Sequence, residues 1–241
     1  MTDPRPEGDN TPDDAPSIKD ALSAAARKAG IGQVTPGEMP TAASLLRAVG
    51  GVRGLVEAIA PGAIFLVVYT ITNDVAPSVL IPVAVGVLFV IARAIARTTM
   101  TSAIAGLIGI AISAAFALKT GRAADNFVPG LIVNVGSLVV LLVSLAVRWP
   151  LIGLIVGVLT GGGVEWRRDN AKRRMLTLVT WLWAGFFALR LGVQVPLYFA
   201  NLPEWQAVSK LVMGVPLYAV MLWVSWLMVR AVYRRAGNVA D

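Results

Sequence analysis

The sequence predicts an all-α membrane protein: a polytopic bundle of six transmembrane helices plus one short interfacial or re-entrant helix. Of its 241 residues, 56% are hydrophobic and only 15% are charged, whereas a soluble globular domain has about 25% charged residues. The apolar residues form long runs, and most of the basic residues lie in every second gap between those runs. These two observations indicate an integral membrane protein whose orientation can be deduced from its charges.

The formal net charge of +7 is a topology signal and does not indicate nucleic acid binding. Residues 1–53 hold seven acidic against six basic side chains, so the whole positive excess lies in the membrane portion. The chain contains no Cys and no His, which removes thiolate chemistry, disulfides and the commonest general base and metal ligand. We therefore predict a non-enzymatic protein with no catalytic residues, no metal and no cofactor.

The N-terminal region divides into a tail and a helical linker. Residues 1–16 are acidic and rich in Pro, so we expect disorder, and they lack the basic start and apolar core of a signal peptide. In residues 17–53, Ser17 and Thr41 are candidate N-caps of two short cytoplasmic helices. These helices are either solvated or bound to a partner or the membrane surface, and the sequence leaves this open.

The transmembrane domain is predicted over residues 54–230, followed by a cytoplasmic tail at 231–241. Pro61-Gly62 and Pro129-Gly130 each lie near the start of a span and are 68 positions apart, a weak sign of the inverted repeat found in transporters. The predicted spans are 55–72, 78–92, 101–118, 127–147, 175–197 and 211–229.

The apolar segment 150–163 is predicted not to span. It has about fourteen residues, whereas crossing a hydrocarbon core about 30 Å thick takes about twenty helical residues. If it did cross, the basic loop that follows would face outward, against the positive-inside rule. With both termini cytoplasmic, the inner side collects most bases, and the outer side keeps Lys119, Arg122 and Lys210 against Asp74, Asp125 and Glu204.

The order of these signals resembles the intracellular septation protein A family of inner membrane-spanning proteins. The resemblance covers about Leu55 to Arg235, and the N-terminal extension is more similar to an actinobacterial branch of multi-pass membrane proteins of unknown function. The residues that carry it are Pro61, Phe65 and Tyr69 in the first span, Asp74, Arg93, Arg97, Arg148 with Pro150-Leu151-Ile152, the run Trp181-Leu182-Trp183-Ala184-Gly185-Phe186-Phe187, and Trp205.

The resemblance implies a multi-pass protein of the bacterial inner (plasma) membrane that supports septation, cell shape or envelope integrity through envelope or division proteins. It supplies no catalytic residues. The alternative that we keep is a transporter of a small molecule or lipid, with a polar site near Arg190.

Arg190 is the leading candidate for a ligand-binding residue. It lies within the fifth predicted span, roughly 10 Å of helix from the outer end, and an Arg inside a membrane is a functional hypothesis by default. Gln194 and Tyr198 follow at one-turn intervals on the same face. These three residues form a polar stripe with three possible roles. The stripe could bind an anionic headgroup or substrate, could pair with Asp74 or Asp125, or could serve only to hold helices together.

Four further features are interpreted from the sequence. The bases of the loop, Arg167, Arg168, Lys172, Arg173 and Arg174, form a lipid or partner surface or serve only to set topology. Glu57 is expected to pair with Arg53 rather than relay protons, and Asn134 to donate an interhelical hydrogen bond. Small residues at every fourth position of 153–161 and 105–117 predict packing seams, within one chain or in a homo-oligomer.

Overall fold

A computed structural model describes residues 51–97, 100–159 and 162–237. The predicted disordered tail 1–16, nearly all of the linker 17–53 and the end of the tail 231–241 lie outside the described residues. Across those ranges the chain forms helices and turns and no strand. The helices are α1 (Gly51–Thr72), α2 (Val75–Ile95), α3 (Thr101–Thr120), α4 (Val128–Ala146), α5 (Leu151–Leu159), α6 (Asn170–Phe199), α7 (Pro203–Val212) and α8 (Val215–Gly237), with short 3-10 turns at Ala123–Phe127 and Glu165–Arg167.

Six stretches of helix are long and apolar enough to cross a membrane. The predicted fold class, an all-α polytopic membrane helix bundle, is therefore confirmed. The six stretches are Gly54–Thr72, Val75–Ile95, Ala103–Thr120, Ala123–Ala146, Asn170–Phe199 and Pro203–Val232.

Capping residues extend two helices beyond their predicted starts. The Asp74 carboxylate accepts a hydrogen bond of 2.9 Å from the Ala76 backbone N–H, so α2 begins three residues before position 78. Pro77 is tolerated there because the first turn of a helix needs no N–H donors. The Asp169 carboxylate accepts from Ala171 and Lys172 at 2.8 and 3.2 Å, so α6 begins at Asn170 rather than 175.

The segment predicted as an outer loop, Tyr198–Lys210, is largely helical. Helix α7 begins at Pro203, since Pro is favoured at the first helical position. Because its polar residues interrupt the apolar pattern, hydropathy alone does not predict it. It packs against α1 and α6, and it ends at a turn where a side chain on Gly214 would overlap the Lys210 carbonyl oxygen.

The helices pack in two groups joined through α7. Helices α1, α2 and α3 enclose one apolar cluster, and α4, α6 and α8 enclose the other. The first cluster is centred on Phe65, Val79, Ala117 and Phe127, and the second on Leu141, Ala184, Phe186, Phe187 and Met221.

Helix α5 is too short to cross a bilayer. Its nine residues make about 13 Å of helix, less than half of a hydrocarbon core about 30 Å thick. Gly153 and Gly157 are buried against the Trp166 indole and the Gly163 carbonyl, where a side chain would overlap both. The predicted seam in α5 is thus a packing surface within the chain, whereas in α3 Ala117 is buried and Gly109 is exposed.

Because consecutive long helices run antiparallel, most arginines collect at one end of the bundle. We call this the arginine-rich end, defined by Arg93, Arg97, Arg148, Arg167 and Arg230, and the other the opposite end. At the arginine-rich end, Arg93 donates to Glu57 Oε2 from Nε at 2.8 Å and from Nη2 at 2.7 Å. This pair, whose side chains are 10% and 12% exposed, joins α1 to α2. The predicted pairing of Glu57 with Arg53 stays a prediction, because the Arg53 side chain lies outside the described residues.

Candidate functional site

Arg190 lies in the half of α6 nearer the opposite end. It is nine residues before Phe199, about 14 Å from the end of the helix. Its side chain is 8% exposed, and its guanidinium carbon lies 5.6 Å from the Phe186 ring centroid and 5.1 Å from that of Tyr218. The aromatic faces stabilise the charge in part. Arg190 Nε nevertheless has no hydrogen-bond partner among the described residues.

Lys210, in the last turn of α7, supplies a second cation to the same place. Its ammonium lies 5.4 Å from the Phe127 ring centroid, and its charge is close enough to Arg190 for the two to repel. Over the part of the chain that the structure describes, neither residue pairs with a carboxylate within 4.0 Å. Two like charges therefore share one cavity with no carboxylate to compensate them.

Three amide side chains complete the cluster. Asn134 Nδ2 donates to Gln194 Oε1 at 3.1 Å, the interhelical hydrogen bond predicted for Asn134, and Gln206 Nε2 donates to the Gln194 backbone oxygen at 3.3 Å. Gln194 and Gln206 are 6% and 1% exposed. Gln194 Nε2 and Gln206 Oε1 are left without partners in the described residues. Since buried polar atoms are nearly always hydrogen-bonded, these atoms require a further partner, either a water molecule or a group of a bound ligand.

These side chains surround one small cavity. Its volume is about 20 Å³, which is room for a group the size of one water molecule. We call it the Arg190–Lys210 cavity. It is lined by Phe127, Gly130, Asn134, Arg190, Gln194, Gln206 and Lys210.

Tyr198 and Asp125 form a separate pair closer to the opposite end. The Tyr198 hydroxyl donates to Asp125 Oδ1 at 2.7 Å, and the Arg122 guanidinium carbon lies 5.6 Å from the Tyr198 ring centroid. Asp125 is buried, so this hydrogen bond satisfies a carboxylate that would otherwise be costly to bury. It ties the turn before α4 to the end of α6.

The structure brings together only part of the predicted ligand-binding set. Arg190 and Gln194 line the cavity, whereas Tyr198 and Asp125 bond each other. Asp74 is exposed and caps α2, and no ion pair joins Arg190 to Asp74 or Asp125.

Two lining residues are not predicted from the sequence as site residues. Lys210 is predicted only as an outer-loop base, and Gln206 is not predicted to have a role. Their spacing of four residues, which puts them on one face of a helix, is the signal that could have found them.

At the arginine-rich end, the predicted basic surface is partly engaged in local contacts. Arg167 stacks over Trp149 at 3.9 Å, Arg173 Nη2 donates to Asn170 Oδ1 at 3.1 Å, and Lys172 lies 3.7 Å from Asp169. Arg168 and Arg174 are exposed. The Lys172 and Ala171 backbone N–H groups and the Lys172 charge hold the pKa of Asp169 below its ordinary value.

The described residues contain no group of three or more Asp or Glu side chains that could hold a metal ion. The fold and the polar cluster together define a polytopic membrane protein with a cationic, amide-lined cavity between its helices. The chain belongs to the DUF3159 family, a family of proteins of unknown function, which it matches over residues 49–236. No curated protein matches it, and no solved structure does.

Proposed function

We propose that this protein is a non-enzymatic membrane protein that binds an anionic group in the Arg190–Lys210 cavity. The observation that carries the proposal is that two cations face one cavity with no carboxylate beside them in the described residues. Uncompensated charges of like sign are expensive in a low-dielectric setting. An anion in the cavity neutralises both cations. The transporter alternative predicts a site in the same place, near Arg190, and adds transport, which the binding proposal does not include.

The test is stabilisation of the purified protein by anions. In neutral detergent, we expect phosphatidylglycerol or sodium phosphate to raise the unfolding midpoint of the wild type above that in sodium chloride of equal ionic strength. Ligand at ten times its Kd adds about 1.4 kcal/mol. Arg190→Gln and Lys210→Gln should each remove most of this gain.

Lys119→Gln is the matched control. Lys119 is an exposed base at the same end of the bundle but does not line the cavity. If both cavity variants respond to both anions as the wild type does, or if neither anion stabilises the wild type, the proposal is wrong.

The orientation and the membrane are also proposals. We propose that the arginine-rich end faces the cytoplasm of a bacterial plasma membrane, with both termini inside, supported by the positive-inside rule. Because the chain has no Cys, Lys119→Cys and Ala171→Cys can be probed with an impermeant thiol reagent in intact cells. Labelling at 119 alone supports this orientation, and labelling at 171 contradicts it.

The role in septation and cell shape, through envelope or division proteins, stays a prediction. Its support is the resemblance to the septation protein A family. Deletion of the protein followed by measurement of cell length and septum spacing tests it, and unchanged septation would count against it.

A further inference from the structure

We infer that the anion is the headgroup of an anionic phospholipid, which enters the Arg190–Lys210 cavity sideways from the bilayer, between α4 and α7. The inference rests on the proposed function and names the ligand class for that site.

The cavity is too small to enclose a solute. Its volume of about 20 Å³ holds about one water-sized group, whereas sites for small organic molecules have about 300–1,000 Å³. A ligand that uses this cavity can place only one or two oxygen atoms inside, and the rest of the molecule must stay outside. A phospholipid does this, because its phosphate is carried at the end of a body that remains in the bilayer.

Burial of the lining residues locates the opening. Five of the seven are buried, and the two exposed ones are Gly130 on α4 and Lys210 on α7. A side chain added at Gly130 would meet no atom within 4 Å. The cavity therefore opens between α4 and α7.

The outer faces of α4 and α7 near the opening are apolar and exposed, as expected of surfaces that face lipid. Val133, one turn along α4 from Gly130, is 65% exposed, and Trp205 and Val212, on the face of α7 turned away from the cavity, are 62% and 63% exposed. Gly130 is the third residue of α4, so the opening lies within one turn of the start of α4. An exposed Trp on a short amphipathic helix is typical of the depth where headgroups meet the acyl region.

The groups inside the cavity match an anionic headgroup better than a zwitterionic one. Arg190 Nε and Gln194 Nε2 are unpaired donors and Lys210 carries donors beside them, which suits the two free phosphate oxygens. Gln206 Oε1 is the unpaired acceptor, and the hydroxyl groups of phosphatidylglycerol can donate to it. Phosphatidylcholine offers no hydroxyl donor, and its choline cation is repelled by Arg190 and Lys210.

The test compares Gly130→Leu with Gly136→Leu. Both glycines lie on α4 where an added side chain would meet open space, but only Gly130 lines the cavity. Lipid binding to the full chain in neutral detergent is measured by native mass spectrometry, with phosphatidylglycerol or phosphatidylcholine as the titrated lipid. Inorganic phosphate binding is measured separately, by the shift in unfolding temperature.

We expect the wild type to bind phosphatidylglycerol at least tenfold more tightly than phosphatidylcholine. Gly130→Leu should weaken phosphatidylglycerol binding about tenfold and reduce the response to inorganic phosphate less, and Gly136→Leu should change neither. Lys210→Gln, whose exposed side chain can be shortened without repacking the core, should weaken both, and Lys210→Arg should restore them.

Four results would overturn the inference. Equal binding of the two lipids, or equal effects of the two glycine variants, contradicts the lipid assignment. Stabilisation by phosphate that Gly130→Leu does not alter, with no tight lipid binding, identifies a free anion and leaves the proposed function standing. If Lys210→Gln and Arg190→Gln bind both lipid and phosphate as tightly as the wild type does, the proposed function is wrong as well.

Discussion

Arg190 and Lys210 lie on different helices and line the same cavity, with no carboxylate beside either in the described part of the chain. The turn at Ala200–Leu202 reverses the chain, so that the last turn of α7 comes back beside α6. The aromatic rings of Phe127, Phe186 and Tyr218 offset part of the charge. What remains is repulsion between two cations, which a bound anion removes.

Removing one cation should stabilise the empty protein. We expect Lys210→Met to raise the free energy of unfolding in lipid-free neutral detergent by about 1 kcal/mol, because an apolar side chain replaces an uncompensated charge. Addition of phosphatidylglycerol should then raise the free energy of unfolding of the wild type more than that of Lys210→Met. Chemical unfolding with and without this lipid measures both effects, with Lys119→Met as the control. A loss of stability without lipid would contradict the prediction.

The Tyr198–Asp125 hydrogen bond should be worth more than a neutral one. Tyr198→Phe removes a bond to a buried carboxylate, so we expect a loss of about 1.5–3 kcal/mol. In a double-mutant cycle with Asp125→Asn, most of that loss should appear as coupling. Tyr69→Phe is the control, since its hydroxyl donates to no described residue, and it should have little effect. Additive losses at positions 198 and 125 would show that the bond contributes nothing.

The packing of α5 against Trp166 should depend on Gly157. A methyl group there overlaps the Gly163 carbonyl oxygen, so Gly157→Ala should lower the unfolding temperature markedly. Gly136→Ala, in open space on α4, should be neutral or stabilising by up to about 1 kcal/mol, as expected from helix propensity. Thermal unfolding followed by tryptophan fluorescence compares the two. Equal midpoints would contradict the packing described for α5.

Asp169 should make the start of α6 sensitive to acid. Its pKa is lowered from the ordinary value of 3.8, first by the Lys172 backbone N–H, so the folded state favours the ionised carboxylate. That contribution is fully present above 3.8 and is lost as the pH falls through the lower folded pKa. Asp169→Asn keeps a capping side chain and should flatten this part of the profile. Unfolding midpoints between pH 6 and pH 3 test it, and parallel profiles would contradict it.

The fold could be predicted because hydropathy and charge act locally along the chain. Apolar runs give the spans, and their length separates α5 from the rest. The site could be predicted only in part. The Arg190–Gln194 spacing is local to one helix, but the meeting of Arg190 with Lys210 depends on how α7 folds back beside α6.

Two pairings that the sequence does not predict share this cause. Glu57 bonds Arg93 from the neighbouring helix, and Asp125 bonds Tyr198, which lies 73 positions away in sequence. Neither pairing has a local signal, since each depends on the packing of helices that are distant in sequence. Helix α7 is not predicted because its polar content, which serves the cavity, conceals it in a hydropathy profile.

The measurement that tests the central claim most directly is phosphatidylglycerol affinity across a double-mutant cycle of Arg190→Gln and Lys210→Gln. If both cations hold one anion, each single variant should weaken binding about tenfold or more, and the double variant should lose less than the sum of the two effects. Wild-type affinity in all three variants would show that the cavity does not bind the lipid.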